Sequence, residues 1–518
     1  MYRRLIAALA VMSLGTGASA AQSNALPPDI ERYVADIMAD HAVPGLALAI
    51  VKDGQVLMAR GFGVRTLGTS QQVDPHTLFG IASNTKAFTA TALALLVEEG
   101  RLAWDEPVIS YLPWFRLSDA WVTSQLTIRD LLVHRSGLGL GAGDLLWWPA
   151  STYTRREVAE RLRHLPLVTS FRSAYAYDNV LYTVAGEVIA AVTGKSWEEF
   201  VAERILTPVG MTDSRIRHPG IGSTPNISST HARVDGRVQQ VEPFTSDNTN
   251  PAGGINASAT DIAKWMMVQL DSGRVAGGAP LYTPRTTSEL WRIVTPQAEI
   301  RAPADLAPLR TPINGYALGF NVRTYRGEQL VTHTGGLPGF ISRVAMFPAH
   351  RLGIAVLTNM ESPAMEPITW RIADHFLGAE HDWRTAFRER AAQQAAAEAA
   401  AEQSATASRD RTARHALPLV RYAGTYEDAW YGRIALAVED ERLVIRFGAT
   451  PILVGDLEHW QYETFLVRWR ERELRADAYI TFTLDAAGRI AEARMAPASP
   501  SVDFSYDFAD LKLVPVGR

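Results

Sequence analysis

Two blocks of strand pattern lie on either side of a long helical stretch, and that arrangement constrains the fold most. Gly45 to Val51 is a continuous apolar run, Asp53-Gly54 is a hairpin dipeptide, and Gln55 to Ala59 resumes the apolar pattern. Strand pattern returns far down the chain at Tyr316 to Val322, Gln329 to His333, Phe340 to Phe347 and Leu352 to Asn359, with glycine or proline turns between. An amphipathic helix over Asp29 to Asp40 precedes the first block, and a helix over Ile368 to Phe376 closes the second. Such an order predicts that the distant blocks join in one antiparallel sheet flanked by helices, an α/β (α+β) sandwich with a helical region inserted.

The inserted region reads as helices at Val180 to Ala191, closed by Gly194, and at Ser196 to Ile205. A further helix runs from the Ser258-Ala259-Thr260-Asp261 cap to Leu270, and a short one starts from a threonine cap over Thr127 to Leu132. Phe171 to Asn179 reads as extended, and Ser214 to Asn250 as polar and irregular. Arg388 to Ala416 is rich in alanine and glutamate without an apolar stripe, a linker with partial helical character. Beyond it, short alternating runs at Arg442 to Phe447, Phe465 to Trp469 and Tyr479 to Leu484 predict a small all-β, barrel-like domain. The expected organisation is a leader over 1–20, a main domain over 21–387, a linker over 388–416 and a β domain over 417–518.

At 518 residues, 47% hydrophobic and 20% charged, the chain is long enough for more than one core. Its net charge of -4 gives no electrostatic case for nucleic acid as a partner. The lack of cysteine excludes disulfides, thiolate nucleophiles and cysteine-ligated zinc. Arg3 and Arg4, the apolar run Leu5 to Leu14 and the exit Ala18-Ser19-Ala20 form the pattern of a secretory leader cut after Ala20. No later run is apolar for long enough to span a bilayer, so the expectation is a periplasmic or secreted chain with no integral membrane segment after processing.

The chemistry centres on Phe79-Gly80-Ile81-Ala82-Ser83-Asn84-Thr85-Lys86, where an apolar approach opens a helix ending at Gly100. Ser83 and Lys86 are spaced i and i+3, on one face of that helix, so a hydroxyl and an amine can share a cleft. A serine needs a neighbouring base, and a lysine serves once burial lowers its pKa. Among Lys52, Lys86, Lys195, Lys264 and Lys512, Lys86 alone has a serine at that spacing. Tyr177 and Asn179 point to one side if their segment is extended, and a phenol beside an ammonium can ionise below its reference value of about 10. His333-Thr334-Gly335-Gly336 ends a strand in glycines, where backbone amides can approach a ligand. His134, near Ser136 in a glycine loop, is either catalytic or a structural hydrogen-bonder; Trp147 and Trp148 line a substrate mouth if exposed and belong to the core if buried.

Taken in order, Ser83-x-x-Lys86, Tyr177-x-Asn179 and His333-Thr334-Gly335 resemble the motifs of the serine β-lactamase and penicillin-binding-protein superfamily. Tyrosine in the second motif makes the chain most similar to class C β-lactamases and the related esterases, D-aminopeptidases and D,D-carboxypeptidases, over about Asp29 to Gly378. The loop Leu131 to Leu138 is similar too, and the tail resembles an accessory β-barrel domain found in some members. The resemblance implies Ser83 as nucleophile, Lys86 and Tyr177 as proton carriers, Asn179 as a holder of substrate or of Lys86, and the amides of Ser83 and Gly336 as the oxyanion hole. It implies no metal or other cofactor, and a small-molecule or short-peptide substrate. One departure stands out: the third motif begins with His333 where those lactamases carry lysine. A mostly neutral histidine attracts a substrate carboxylate weakly, which ranks esterase or peptidase activity above lactam hydrolysis. The alternatives are a β-lactamase or D,D-carboxypeptidase, and a slowly turning-over penicillin or peptidoglycan sensor. Natural substrate and oligomeric state are open at this stage.

Overall fold

The computed structural model describes residues 25–216 and 225–517, so the expected leader lies outside the described residues. The two strand blocks join: Gly45–Lys52 pairs antiparallel with Leu352–Thr358, with Leu46 opposite Thr358. The antiparallel sheet runs in the order Gln55–Gly63, Gly45–Lys52, Leu352–Thr358, Phe340–Phe347, Glu328–Leu337, Asn321–Tyr325, Asn314–Tyr316 and Thr295–Pro296. Asp53 and Gly54 take φ of 52° and 77°, the paired positive values a tight hairpin requires.

The unbroken apolar run of the first strand has a direct cause in the layering. Leu46, Leu48 and Ile50 pack beneath the helices Ile30–His41 and Met365–Leu377, while Ala47, Ala49 and Val51 face the other core. Both sheet faces are therefore dry, and each buried Leu or Ile contributes about 2 kcal/mol against chain entropy. On the second face lie the helix Ala259–Leu270, capped by Ser258 as expected, and the inserted helical region. At the heart of that region, the helix Thr85–Glu98 buries every residue from Thr85 to Leu96, with Phe88 stacked on Trp265 at 3.9 Å between ring centroids. A helix buried on every side can only be central.

Beyond residue 382 a long helix, Trp383–Ala407, is anchored by Trp383, Ala386 and Phe387 and is mainly exposed thereafter. It starts ahead of the expected linker and covers much of it. The tail is a closed eight-stranded barrel from Gly424–Asp428 to Lys512–Val516, closed by pairing Thr425 with Val516.

Three local expectations need correction. Tyr316 to Val322 is not one strand but Asn314–Tyr316 and Asn321–Tyr325, broken where Ala317 N–H reaches the Phe320 carbonyl at 2.8 Å. The break has φ of 79° at Gly319, where a Cβ would lie 2.7 Å from the Lys86 carbonyl oxygen, so this turn is shaped by the buried helix Thr85–Glu98. Within Ser214 to Asn250 a hairpin forms, Thr230–Val234 with Arg237–Val241, around Asp235-Gly236 and a small core of Ala232, Val234 and Val241. The short helix expected from Thr127 is a 3-10 turn, Asp130–Leu132, in which the Asp130 carboxylate folds back to accept from Thr127 N and Oγ1 at 3.1 and 2.7 Å.

Candidate active site

Ser83 sits in a 3-10 turn, Ala82–Asn84, immediately before the buried helix. Ala82 is left-handed with φ of 48°, a conformation that strains an L-residue and persists only where packing holds it. The holding groups are visible. Ser342 Oγ donates to the Ile81 carbonyl at 2.7 Å and accepts from Asn84 Nδ2 at 2.8 Å, tying the turn to the strand Phe340–Phe347. Gly335 packs so closely that a Cβ there would lie 2.2 Å from the Ile81 oxygen and 2.9 Å from Ser83 N. The turn thus lies against the end of the third motif, and Ser83 is half-exposed between buried Ala82 and Asn84.

Lys86 is fully buried, and its Nζ donates to Ser83 Oγ at 3.0 Å, Asn179 Oδ1 at 2.7 Å and the Ala252 carbonyl at 3.1 Å. Burial pushes its pKa down to about 7, against the opposing pull of Asp144 and Asp178. Asn179 is oriented by its partners, since Oδ1 faces the amine and Nδ2 donates to Asp144 Oδ2 at 2.8 Å. Asp144 also accepts from Trp147 Nε1 at 2.8 Å and Ser505 Oγ at 2.8 Å, yet burial raises its pKa to about 7. Asp178, fully buried, is raised to about 8 by burial and by Asp144.

Tyr177 is in place beside this group but not as an ionised base. Its hydroxyl lies near Ser83, while Lys86 Nζ stands 4.8 Å from the centre of its ring face. Desolvation drives the phenol well above its reference value, the reverse of the expected shift, because an ammonium over the ring gives the oxygen little relief. His333 lies one layer back, its ring 6.3 Å from that of Tyr177. Its Nδ1 is 2.5 Å from the Thr334 carbonyl and its Nε2 is 2.8 Å from Tyr316 Oη, so Nδ1 carries the proton and Nε2 accepts from the phenol. Burial pushes His333 down to about 3, which keeps it neutral.

Gly336 is exposed, and the space a Cβ would occupy there has Ile341 Cδ1 as its nearest neighbour at 3.4 Å. It borders a cavity of about 500 Å³ between the main domain and the barrel. Trp148 lines that cavity, whereas Trp147 is turned inward to serve Asp144. His134 is buried and takes the structural role: it accepts the Asp178 N–H at 3.2 Å and packs on Tyr177 and Tyr316. No group of His, Asp or Glu suited to a metal ion occurs among the described residues.

Sequence reasoning missed Asp144, Tyr316, Ser342 and Ser505. A lone carboxylate in the apolar loop Gly143-Asp144-Leu145-Leu146-Trp147 was a usable signal, because a charge there must be buried with partners. Nothing local marked Ser505.

Comparison with known proteins follows the same division. The β-lactamase family profile matches residues 30–378, and a domain of unknown function (DUF3471) matches residues 408–515. The unguisins hydrolase ungD of Aspergillus violaceofuscus (strain CBS 115571) is 28% identical over 443 residues, spanning 80% of this chain and 77% of that one. Protein flp of Staphylococcus aureus (strain N315) is 26% identical over 357 residues, spanning 66% of this chain and 65% of that one. In fold, the octameric penicillin-binding protein homologue from Pyrococcus abyssi matches at a TM-score of 0.60 and 21% identity, covering 94% of this chain and 99% of that one.

Proposed function

The chain belongs to the β-lactamase family of serine hydrolases, and from that premise we propose that it cleaves esters or peptide bonds of small substrates through an acyl-enzyme on Ser83. The observation that carries this reading is the 3.0 Å contact between Ser83 Oγ and the Nζ of a lysine that burial brings to a pKa of about 7. In its neutral form Lys86 takes the hydroxyl proton as Oγ attacks the carbonyl carbon. The amides of Ser83 and Gly336 receive the oxyanion, each such donor being worth about 3 kcal/mol. As the tetrahedral adduct collapses, the proton passes from Lys86 through the un-ionised hydroxyl of Tyr177 to the leaving group. Water then attacks the acyl carbon with the same residues in reverse, restoring Ser83.

The cavity beside Gly336 supports the ranking of esters and peptides above lactams. Its apolar walls come from Trp148, Phe244 and Leu337 on one side and Ile452, Leu474 and Tyr506 on the other. Its charged lining is Glu242, Glu361, Glu473, Asp503 and Arg475, and the guanidinium is already bound to both Glu361 oxygens at 2.7 Å. With Arg475 paired in the cavity and His333 neutral behind Tyr177, a substrate carboxylate finds little attraction. The leader pattern supports an exported enzyme, and no helix among the described residues is long and apolar enough to cross a membrane.

The test compares a short-chain nitrophenyl ester and D-amino-acid amides with a chromogenic cephalosporin, using Ser83→Ala as control. Ser83→Ala should lower kcat by roughly a thousandfold or more, and intact-mass analysis should find the acyl adduct only on the wild-type protein. A lactam rate above the ester and amide rates would reverse the ranking, and an active Ser83→Ala would sink the reading.

A further inference from the structure

The segment between the barrel strands Ile490–Pro497 and Lys512–Val516 does more than rest on the main domain. Asp507 accepts the backbone N–H groups of Gly143 and Leu145 at 2.7 and 3.1 Å, clasping the residues on either side of Asp144. Gly143 there is left-handed, with φ of 81°. Phe504 packs against Gly141, where a Cβ would meet its ring at 2.8 Å, and its ring lies 6.2 Å from that of Tyr177. Between them Ser505, only 4% exposed, donates to Asp144 Oδ2. From this hydroxyl an unbroken run of hydrogen bonds passes through Asp144, Asn179 and Lys86 to Ser83.

We propose that Ser505 is a positioning residue of the catalytic centre: its hydroxyl fixes the Asp144 carboxylate, which through Asn179 aims Lys86 at Ser83. The barrel is then a working part of the hydrolase. This rests on the reading of Ser83 and Lys86 as nucleophile and base. Without the Ser505 donor, the shared Oδ2 keeps only Asn179, Asp144 can rotate about its bond to Trp147, and the amide follows. The charge also changes. A carboxylate that loses a donor holds its proton to higher pH, so Lys86 faces less negative charge and sheds its own proton at lower pH. The groups that bear on this are Lys86, Asp178, Asp507 and Tyr177 around Asp144, with Tyr182, His134 and His333 around Lys86.

The experiment compares Ser505→Val with Ser505→Thr in the full chain, a pair of equal shape in which only threonine keeps a donor. Nitrophenyl-ester kinetics give kcat and KM, and the rate of Ser83 labelling by a fluorophosphonate across pH reads nucleophile activation directly. Ser505→Val should lose on the order of tenfold in kcat with KM unchanged, and its acid limb should move to lower pH. Ser505→Thr should restore most of the rate and the wild-type pH profile. If valine does not fold, Ser505→Ala against Ser505→Thr makes the same comparison, with melting curves as the fold check. Valine and threonine variants of equal rate and equal pH profile would overturn the proposal. Labelling of Ser83→Ala at wild-type stoichiometry would instead overturn the underlying serine-hydrolase reading.

Discussion

The turn that carries Ser83 and the barrel segment that carries Ser505 serve the same centre but are built by opposite means. The first stores strain at Ala82 and is locked by neighbours on the sheet, Ser342 and Gly335. The second takes its place by docking: Asp507 and Phe504 seat it on a loop that precedes it by several hundred residues. Local strain ties the Ser83 turn to its own short sequence, whereas docking distributes the support over the main sheet unit and the barrel. Motifs record the first kind of design and pass over the second.

Four perturbations break or sharpen that contrast. The largest effect is expected at the point where the two regions meet. Asp144→Asn should reduce kcat by roughly a hundredfold, because an amide cannot accept from Trp147, Asn179 and Ser505 together. In wild type, kcat/KM should climb through about pH 7 as Lys86 loses its proton, and in this variant the climb should begin at lower pH. A pH-rate series on the ester substrate decides both.

Next comes the docking contact alone. Asp507→Ala leaves the buried N–H groups of Gly143 and Leu145 without their acceptor, at a cost of about 2 kcal/mol. Chemical denaturation should register that loss, with the barrel transition separating from that of the main domain. A third effect concerns pH. Burial raises Asp178 to about 8 from a reference of 3.8, so the folded state holds a proton that the unfolded chain releases. Its contribution is complete below about pH 4 and is lost as pH rises through about 8, a window in which stability falls. Asp178→Asn stays neutral throughout, and its melting temperature should therefore fall less than that of wild type between those limits. Least of all should change in Ala82→Gly, which relieves the left-handed strain but loosens the unfolded chain; stability should stay within about 1 kcal/mol of wild type. A large loss of activity there would mean that strain itself contributes to the reaction.

Much of the architecture was legible because the relevant signals are short-ranged. The hairpin at Asp53-Gly54, the Ser258 cap and the barrel strand Arg442–Phe447 follow from neighbours in sequence and were found where expected. The break at Gly319 was not, because its cause is the carbonyl of Lys86 on a distant helix. The same line divides the site. Ser83 and Lys86 lie one helical turn apart and announce themselves, while Tyr177 was read with the wrong sign, since the position of an ammonium over a ring rather than beside an oxygen is a tertiary matter. Ser505 depends on where a closed barrel comes to rest, and no residue near it in the chain encodes that.

The barrel's first and last strands are neighbours, Thr425 beside Val516, and the main sheet likewise brings Leu46 beside Thr358. The barrel's two ends thus lie together, and in the chain the barrel is joined to the main sheet through the helix Trp383–Ala407, so the tail can be exchanged without rethreading that sheet. A chain with a different tail would keep Ser83 and Lys86 but lose the contacts that Ser505 and Asp507 make with the Asp144 loop.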